Sequence, residues 1–555
     1  MKYQRPSLNQ TKEETLASIH KLESATNAEE AYEVLLNWDK KFGTIETNFS
    51  LAELYFAQDT KSSFAKLENE HLNKEKPLFK IEENKFLKAI LSSPFRKGLE
   101  QRIGERAFTN WDLELKSFDA SLSTLKSKES DLIMQYQERM AGLRVEIDGE
   151  KYSISRLAPL LHATERQKRK IAYSAYSKAF EAHKEQLDWL FNDLVQIRNE
   201  MAQLMGRDSY TSLGYDSLGR TDYSASDVKI FREEVKTHLV PICEEIRKKH
   251  RHRLGVEDYA LHDEGLHSKQ GEAKPHGNEL WMRQKASEMF KELGPEFQDF
   301  YSMMQDKGLM DLESRETKAG GGFCTTFYDH GVPYIFANFN GSNGDVRVFT
   351  HECGHAYQCY SSRNQPLRTY LWPTLEACEI HSMSLEFFTY PQMEHFFNED
   401  ADNFRRSHLE GALLFIPYGC TVDEFQHWVY ANPNASPDDR AEAWLEIESK
   451  YCPWRRYENT PYFSSGSHWQ RIRHIYAMPF YYIDYCLAQS CALQFWSQAQ
   501  NDRKDALKRY HHLCTLGGSQ SFTDLLRTSG LQNPLENGTL QSIVNDVSLY
   551  LNHLE

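Results

Sequence analysis

Residues 351–355 read His-Glu-Cys-Gly-His, and this spacing commits the surrounding chain to a helix before anything else about the fold is known. On an α-helix, positions i and i+4 share a face, so both imidazoles reach one point in space. The glutamate beside the first histidine stands where it can hold a water on an ion gripped by that pair and take its proton. A start for the helix is visible. Gly344-Asp345 can open it, and Val346, Phe349 and Thr350 carry it to His351. With 22 histidines in the chain, so short a match also arises by chance, and the weight falls on what accompanies it.

A catalytic zinc takes three protein ligands and keeps a fourth position for water. Candidates for the third ligand follow in the segment Pro373-Thr-Leu-Glu-Ala-Cys-Glu-Ile-His-Ser-Met-Ser-Leu-Glu386. Pro373 suits the first turn of a second helix, on which Glu379, Ser382 and Glu386 share a face. Two helices crossing at the ion build a tetrahedral site from rigid parts. Residue type alone leaves Glu376, Glu379 and His381 all open. Other zinc arrangements fail on spacing. A third histidine six places after His355 falls on Ser361, and a ligand after eighteen or nineteen intervening residues falls on Thr374 or Leu375. Cys353 is a zinc ligand by chemistry, but two residues after His351 it points to another side of the helix, which suits a small buried residue.

Around this centre the expected fold is mainly α. Helical periodicity dominates the first 300 residues. The clearest run has a capping-box spacing at Thr164 and Gln167, then Leu187, Leu190, Leu194, Ile197, Met201 and Leu204, with Gly206 as a stop. Unbroken, it would be a helix of about 40 residues and about 60 Å. Strands are few. Leu143 to Ile154 alternates about Asp148-Gly149 as a hairpin, and Gly322 to Phe339 is strand-rich. The strand at Ile335 to Phe339 is expected to offer an edge on which an extended peptide can pair. Arg247 to Arg253 is expected to be a set of cations near a helix C-terminus facing water, and His262 to Gly277 a mobile surface loop rather than a second metal site.

The net charge of −15 argues against a nucleic-acid partner bound by phosphate neutralisation. The N-terminus lacks the apolar core of a secretory signal, and no window of 18 apolar residues supports a membrane span. The ten cysteines, from Cys243 to Cys514, form no C-x-x-C pair. They read as reduced buried thiols, and a cytoplasmic location with no membrane partner is expected.

His351-Glu-Cys-Gly-His355, followed at the right spacing by Glu379-Ile-His-Ser382-Met-Ser-Leu-Glu386, resembles the thimet oligopeptidase and oligoendopeptidase F family of zinc metallopeptidases. Gly320-Gly-Gly-Phe-Cys-Thr-Thr-Phe327 through Asn340-Gly341 resembles that family's strand region. Pro479-Phe-Tyr-Tyr-Ile-Asp-Tyr485 with Ala488-Gln489 resembles its tyrosine-rich segment, in the form of bacterial oligoendopeptidase F-like members. The resemblance is strongest from about Gly320 to Trp496. It implies a large two-lobed helical fold with a small sheet and a deep substrate channel. An N-terminal helical region would span 1–140 and a catalytic region 141–555, with the zinc-site core at about 320–500. One zinc ion would be held by His351, His355 and Glu379, with Glu352 as general base and Glu386 behind a ligand imidazole. His474 resembles a substrate-contacting histidine.

The implied activity is hydrolysis of internal bonds in short unfolded peptides, a role in peptide catabolism. An oxyanion formed there needs donors besides the metal, and a phenol stays protonated at neutral pH. On a helix starting near Pro479, Tyr482 and Tyr485 share a face, as do Tyr481 and Tyr485. Tyr485 is therefore the first choice, Tyr482 the second and Tyr481 the last. Two alternatives stand beside this reading: a zinc carboxypeptidase using Arg471 or Arg473 for the free carboxylate, and a non-catalytic peptide-binding scaffold.

Overall fold

The computed structural model describes residues 1–117 and 120–553. The fold is mainly α and two-lobed, with two small sheets among many helices. The first lobe is built on three long helices, Leu8–Glu23, Ala28–Gln58 and Ser63–Leu91. Their side-chain caps are supplied by Ser7, Asn27 and Ser62, each accepting from a backbone N–H of the first turn. Leu35, Trp38, Phe42, Phe79 and Phe86 fill the space between them, with Trp38 stacked on Phe86 at 4.1 Å. Most of the buried apolar residues from Leu122 onward pack into one larger core, which also takes in Leu51, Leu54 and Ala57.

Two residues of that later chain, Leu367 and Tyr370, belong to the N-terminal core. Tyr370 donates to the Ile103 carbonyl at 2.7 Å and accepts from the Ala107 N–H at 3.0 Å. Arg368 carries three carboxylates on one guanidinium: Asp39 at 3.3 Å, Glu46 at 2.6 Å and Glu83 at 2.8 Å. A half-buried arginine with that many partners fixes geometry, because losing any one leaves a charge uncompensated away from bulk water. The segment it fixes joins the two helices of the candidate site.

The hairpin expected at 143–154 is present. β1 (Val145–Ile147) and β2 (Glu150–Tyr152) pair antiparallel about Asp148-Gly149. The second sheet has β3 (Met310–Glu313), β4 (Phe323–Phe327) and β5 (Val332–Phe339) in the order β3-β5-β4. Here one expectation holds only in part. β5 is the central strand, parallel to β3 and antiparallel to β4. Ile335 and Phe336 are paired on both sides and have no open edge, whereas from Ala337 to Phe339 the strand runs past the end of β4 and is paired with β3 alone.

Three other expectations need correction. The long helix is two helices, Arg166–Glu181 and Lys184–Leu204, broken at Ala182 and His183. Its N-cap is Glu165 with no side-chain bond, so Thr164 and Gln167 form no capping box. The break lets each half turn its own apolar stripe to the core: Ala172, Tyr176 and Phe180 before it, Leu187, Leu190 and Leu194 after it. The Arg247 to Arg253 run does close a helix, Val240–Leu254, and Lys248, Arg251 and His252 face water as expected, but the run is not solvated throughout. Arg247 and His250 are buried, and Arg247 donates to the Tyr259 hydroxyl at 3.0 Å and the Glu264 carbonyl at 2.9 Å. The stretch 262–277 is a surface loop only in part, with Lys269, Gln270, Lys274 and His276 exposed. His262, Asp263 and Leu266 are buried, and Asp263 accepts from Arg166 and Arg169, each at 2.7 Å.

Among the described residues, no helix is long and apolar enough to cross a membrane. The ten cysteines are all free thiols.

Candidate active site

Asn343–Ser362 and Leu375–Phe388 form the helix pair on which the site stands. The first starts at the N-cap Ser342. Asp345 holds its entry loop, accepting from the backbone N–H groups of Asn340 and Gly341 at 2.9 and 2.6 Å. The second starts at Leu375 with Thr374 as N-cap, so Pro373 stands just before the helix rather than in its first turn. The helices touch at Gly354, where a Cβ would come 2.5 Å from Ser382 Cα and 2.6 Å from the His381 carbonyl oxygen. Glycine in the motif thus sets the approach that brings Glu379 to the histidines.

His351 Nε2 lies 3.4 Å and His355 Nε2 3.6 Å from Glu379 Oε2. Donor atoms about 2.0–2.2 Å from a tetrahedral zinc stand about 3.3–3.6 Å from one another. The three side chains therefore fit a metal ion, and their donor set of two imidazoles and a carboxylate is the one zinc favours. Glu376 and His381 lie outside this group. Glu376 is buried and accepts from the Tyr223 hydroxyl, and His381 turns its Nδ1 to the Ala377 carbonyl. Cys353 is fully buried and away from the trio.

Glu386 accepts from His351 Nδ1 at 2.8 Å and from His408 Nε2 at 2.6 Å, and His408 Nδ1 lies 2.7 Å from the Tyr390 hydroxyl. With the His351 proton held on Nδ1, the Nε2 lone pair is left to face Glu379 and a metal. His408, on the helix Ala401–Ala431, carried no local signal in the sequence.

Glu352 is 7% exposed and its Oε2 has no hydrogen-bond partner among the described residues. Burial pushes its carboxyl up to about 7, His351 opposes this, and the charges of Glu379 and Glu386 add to it. An acid held near neutrality is suited to accept a proton and pass it on. Glu379 goes the other way. Burial would raise it, but His355, His351 and the Tyr481 hydroxyl hold it down at about 2. His355 is kept neutral by burial, lowered to about 4. Gly322 sits beside Glu352, where a Cβ would lie 3.5 Å from Oε1 and 3.3 Å from Val348 Cγ1. It leads directly into β4, so the strand whose far edge is open is also the one next to the carboxylate.

The tyrosine-rich segment is arranged differently from the expectation. The helix runs Tyr482–Leu516, with Tyr481 as N-cap. It starts after Pro479 because Phe480 has φ of +67°, a conformation costing about 1–3 kcal/mol for a non-glycine residue. The surroundings impose it. The Phe480 N–H donates to Gln426 at 3.0 Å, its carbonyl accepts from Arg220 at 2.6 Å, and its ring is buried against His427 at 4.8 Å. The result is that Tyr481, ranked last from the sequence, donates to Glu379 Oε1 at 3.0 Å. Tyr485 lies 3.5 Å from His474 Nε2. Tyr482 packs its ring on His474 at 5.2 Å and on Phe415 at 5.7 Å. Burial raises all three phenols, so they stay protonated, and it lowers His474 to about 4, helped by Arg473.

A second group of ligand-type side chains, His250, His267 and Glu410, converges elsewhere. His250 Nε2 is 2.8 Å and His267 Nδ1 3.3 Å from Glu410 Oε2. This Glu410 differs from Glu379 in that Arg253 donates to both its oxygens, at 2.7 and 2.9 Å. It is an ion-paired network that ties residues 250–267 to the Ala401–Ala431 helix.

Comparison with known proteins finds relatives across the whole chain. A structure of PZ peptidase A with inhibitor 2 is 40% identical, with a TM-score of 0.95, covering 100% of this chain and 98% of that one. A putative oligoendopeptidase F from Bacillus anthracis is 38% identical, with a TM-score of 0.90, over 100% of this chain and 97% of that one. An oligoendopeptidase F homolog of Borreliella burgdorferi is 23% identical over 248 residues, a match that spans 42% of this chain and 40% of that protein. The Peptidase M3 N-terminal domain matches residues 1–118 and Peptidase family M3 matches residues 159–545. Over most of its length, then, the chain is built as an oligoendopeptidase F-like protein, and it belongs to peptidase family M3.

Proposed function

We propose that the protein is a metal-dependent endopeptidase that cuts internal bonds of short, unfolded peptides. The observation that carries this is the convergence of His351, His355 and Glu379 beside the unpartnered carboxylate oxygen of Glu352. His351, His355 and Glu379 would hold one zinc ion. When bound, zinc polarises the scissile carbonyl and acidifies water at neutral pH.

The chain's own residues do the rest. Glu352 takes a proton from the attacking water and returns it to the leaving nitrogen. Tyr485, backed by the neutral ring of His474, donates to the oxygen that gains charge. Tyr481 acts through Glu379, orienting the carboxylate that faces both histidines. Tyr482 shapes the aromatic wall behind them. The open edge of β4 beside Gly322 suits an extended peptide held by its backbone, which makes side-chain preference broad.

The test is hydrolysis of an internally quenched peptide blocked at both ends. Cleavage at an internal bond is expected, with loss on adding a chelator and return on adding zinc. Strict removal of single terminal residues, or activity indifferent to chelation, would overturn the proposal.

The two tyrosines should separate cleanly. Tyr485→Phe is expected to lower kcat by about 10²–10³, as removal of one oxyanion donor does, with zinc affinity unchanged. Tyr481→Phe is expected to weaken zinc about ten- to a hundredfold, as loss of a partner behind a ligand does. Zinc competition titrations beside steady-state rates read both effects, and an exchange of the two patterns would swap the roles.

A further inference from the structure

His408 is held at both ring nitrogens by the far end of the helix that carries Glu379. Glu386 lies in the last turn of Leu375–Phe388, and Tyr390 opens the short turn that follows. Glu386 Oε2 is 2.6 Å from His408 Nε2, and the Tyr390 hydroxyl is 2.7 Å from His408 Nδ1. Both rings are buried, and Phe387 and Phe404 close over the histidine at 5.1 and 5.8 Å. The helix that supplies His408, Ala401–Ala431, carries none of His351, His355 and Glu379.

The protons along this chain of groups have one consistent arrangement. Burial keeps the Tyr390 phenol protonated and the His408 imidazole neutral. The phenol has a single hydrogen to give, and His408 Nδ1 is a nearer acceptor than the Arg405 carbonyl at 3.4 Å. A neutral imidazole that accepts at Nδ1 carries its own hydrogen on Nε2, where Glu386 receives it. Glu386 then takes one N–H on each oxygen, from His408 on Oε2 and from His351 Nδ1 on Oε1 at 2.8 Å. Turning the carboxylate would break both bonds, so its plane is fixed, and the His351 ring with it. His355 has no such support, since its buried Nδ1 finds no partner among the described residues.

We infer that His408 and Tyr390 are positioning residues for the candidate metal ligand His351. Tyr390 sets the tautomer of His408, and His408 holds Glu386 in the plane that presents His351 Nε2 to an ion. This rests on the metal-site reading above and adds to it two residues that hydrogen-bond to none of the three ligands. Groups behind a ligand change metal affinity by about ten- to a hundredfold. A residue that acts only through another loses its effect when that other is removed.

Zinc affinity of the full chain, measured by competition against a chromophoric chelator, decides the matter. His408→Leu fills the space and removes both bonds, and it is expected to weaken zinc by about ten- to a hundredfold. His408→Gln keeps an N–H for Glu386 and should stay within a few-fold of wild type. A histidine that only filled space would show no such rescue. Tyr390→Phe removes only the bond that sets the tautomer and should weaken zinc about two- to tenfold, the worth of one neutral hydrogen bond. In a Glu386→Ala background, His408→Leu should weaken zinc no further.

Wild-type affinity in His408→Leu, an equal loss in His408→Leu and His408→Gln, or a full effect in the Glu386→Ala background overturns the inference. Should His408→Leu fail to fold, Tyr390→Phe decides alone, with unchanged affinity as the overturning result. A wild-type protein that binds no zinc removes the metal-site reading and this inference together. Zinc binding that depends on His408, in a protein that cleaves no peptide, upholds the inference and tells against the peptidase reading alone.

Discussion

Glu352→Gln is expected to keep its metal and lose about 10²–10⁴ of kcat/KM, the share that a positioned general base supplies. The exchange keeps the shape of a side chain that is 7% exposed and whose Oε2 has no hydrogen-bond partner among the described residues. What it removes is the ability to accept a proton, since an amide stays neutral at working pH. Zinc content by elemental analysis and the rate on an end-blocked peptide read the two halves of the expectation. A variant that retained more than about a tenth of the activity would reject Glu352 as the base.

The same substitution has a second consequence in the metal-free protein. Burial lifts Glu352 to about 7, from 4.5 in an open chain. Below about pH 4 the carboxyl is protonated whether folded or not, and it contributes nothing. Between those values the unfolded chain loses its proton first, so stability falls as pH rises, by about 1.4 kcal/mol for each unit crossed. Glutamine does not titrate and escapes that loss. Metal-free Glu352→Gln should therefore melt with the wild type at pH 4 and above it at pH 8, and a reversed order at pH 8 would show that the carboxylate is not paying a desolvation cost.

The two halves of the candidate metal site were not equally legible in the sequence. His351 and His355 follow from helical geometry alone, because four residues of separation put two side chains on one face. Glu379 did not follow. Glu376, Glu379 and His381 were equal by residue type, and what separates them is the crossing at Gly354, a contact between elements that no local pattern contains. Tyr481 was ranked last for a related reason. Its place depends on Phe480 at positive φ, forced by Gln426 and Arg220, and a periodicity reading that started the helix at Pro479 rotated the tyrosines wrongly. The hairpin was readable because its turn chemistry is local. The central position of β5 was not, since strand order is a property of the sheet. The buried packing of His262 and Asp263 was hidden because glycine, lysine and proline after them give the composition of a loop, while the arginines that bind Asp263 lie about a hundred residues earlier.

Glu379→Ala set against Glu376→Ala tests the step that local sequence could not take. Both carboxylates are buried on one helix, at 5% and 2% exposure, so each loss costs stability and melting alone cannot tell them apart. Their partners differ. Glu379 offers Oε2 to both imidazoles and to the Ser382 hydroxyl, and Oε1 to Tyr481. Glu376 offers its carboxylate to the Tyr223 hydroxyl. Removing Glu379 takes away a ligand and leaves Tyr481 without its acceptor, so zinc affinity should fall by more than the about ten- to hundredfold seen when a group behind a ligand is lost. Removing Glu376 should cost about 1–3 kcal/mol of stability through the stranded Tyr223 hydroxyl, with zinc affinity within a few-fold of wild type. Zinc competition against a chromophoric chelator measures the first quantity and denaturant melts of the metal-free proteins the second. If zinc leaves the Glu376 variant and stays on the Glu379 variant, the third ligand is misassigned, and the chemistry built on it fails with it.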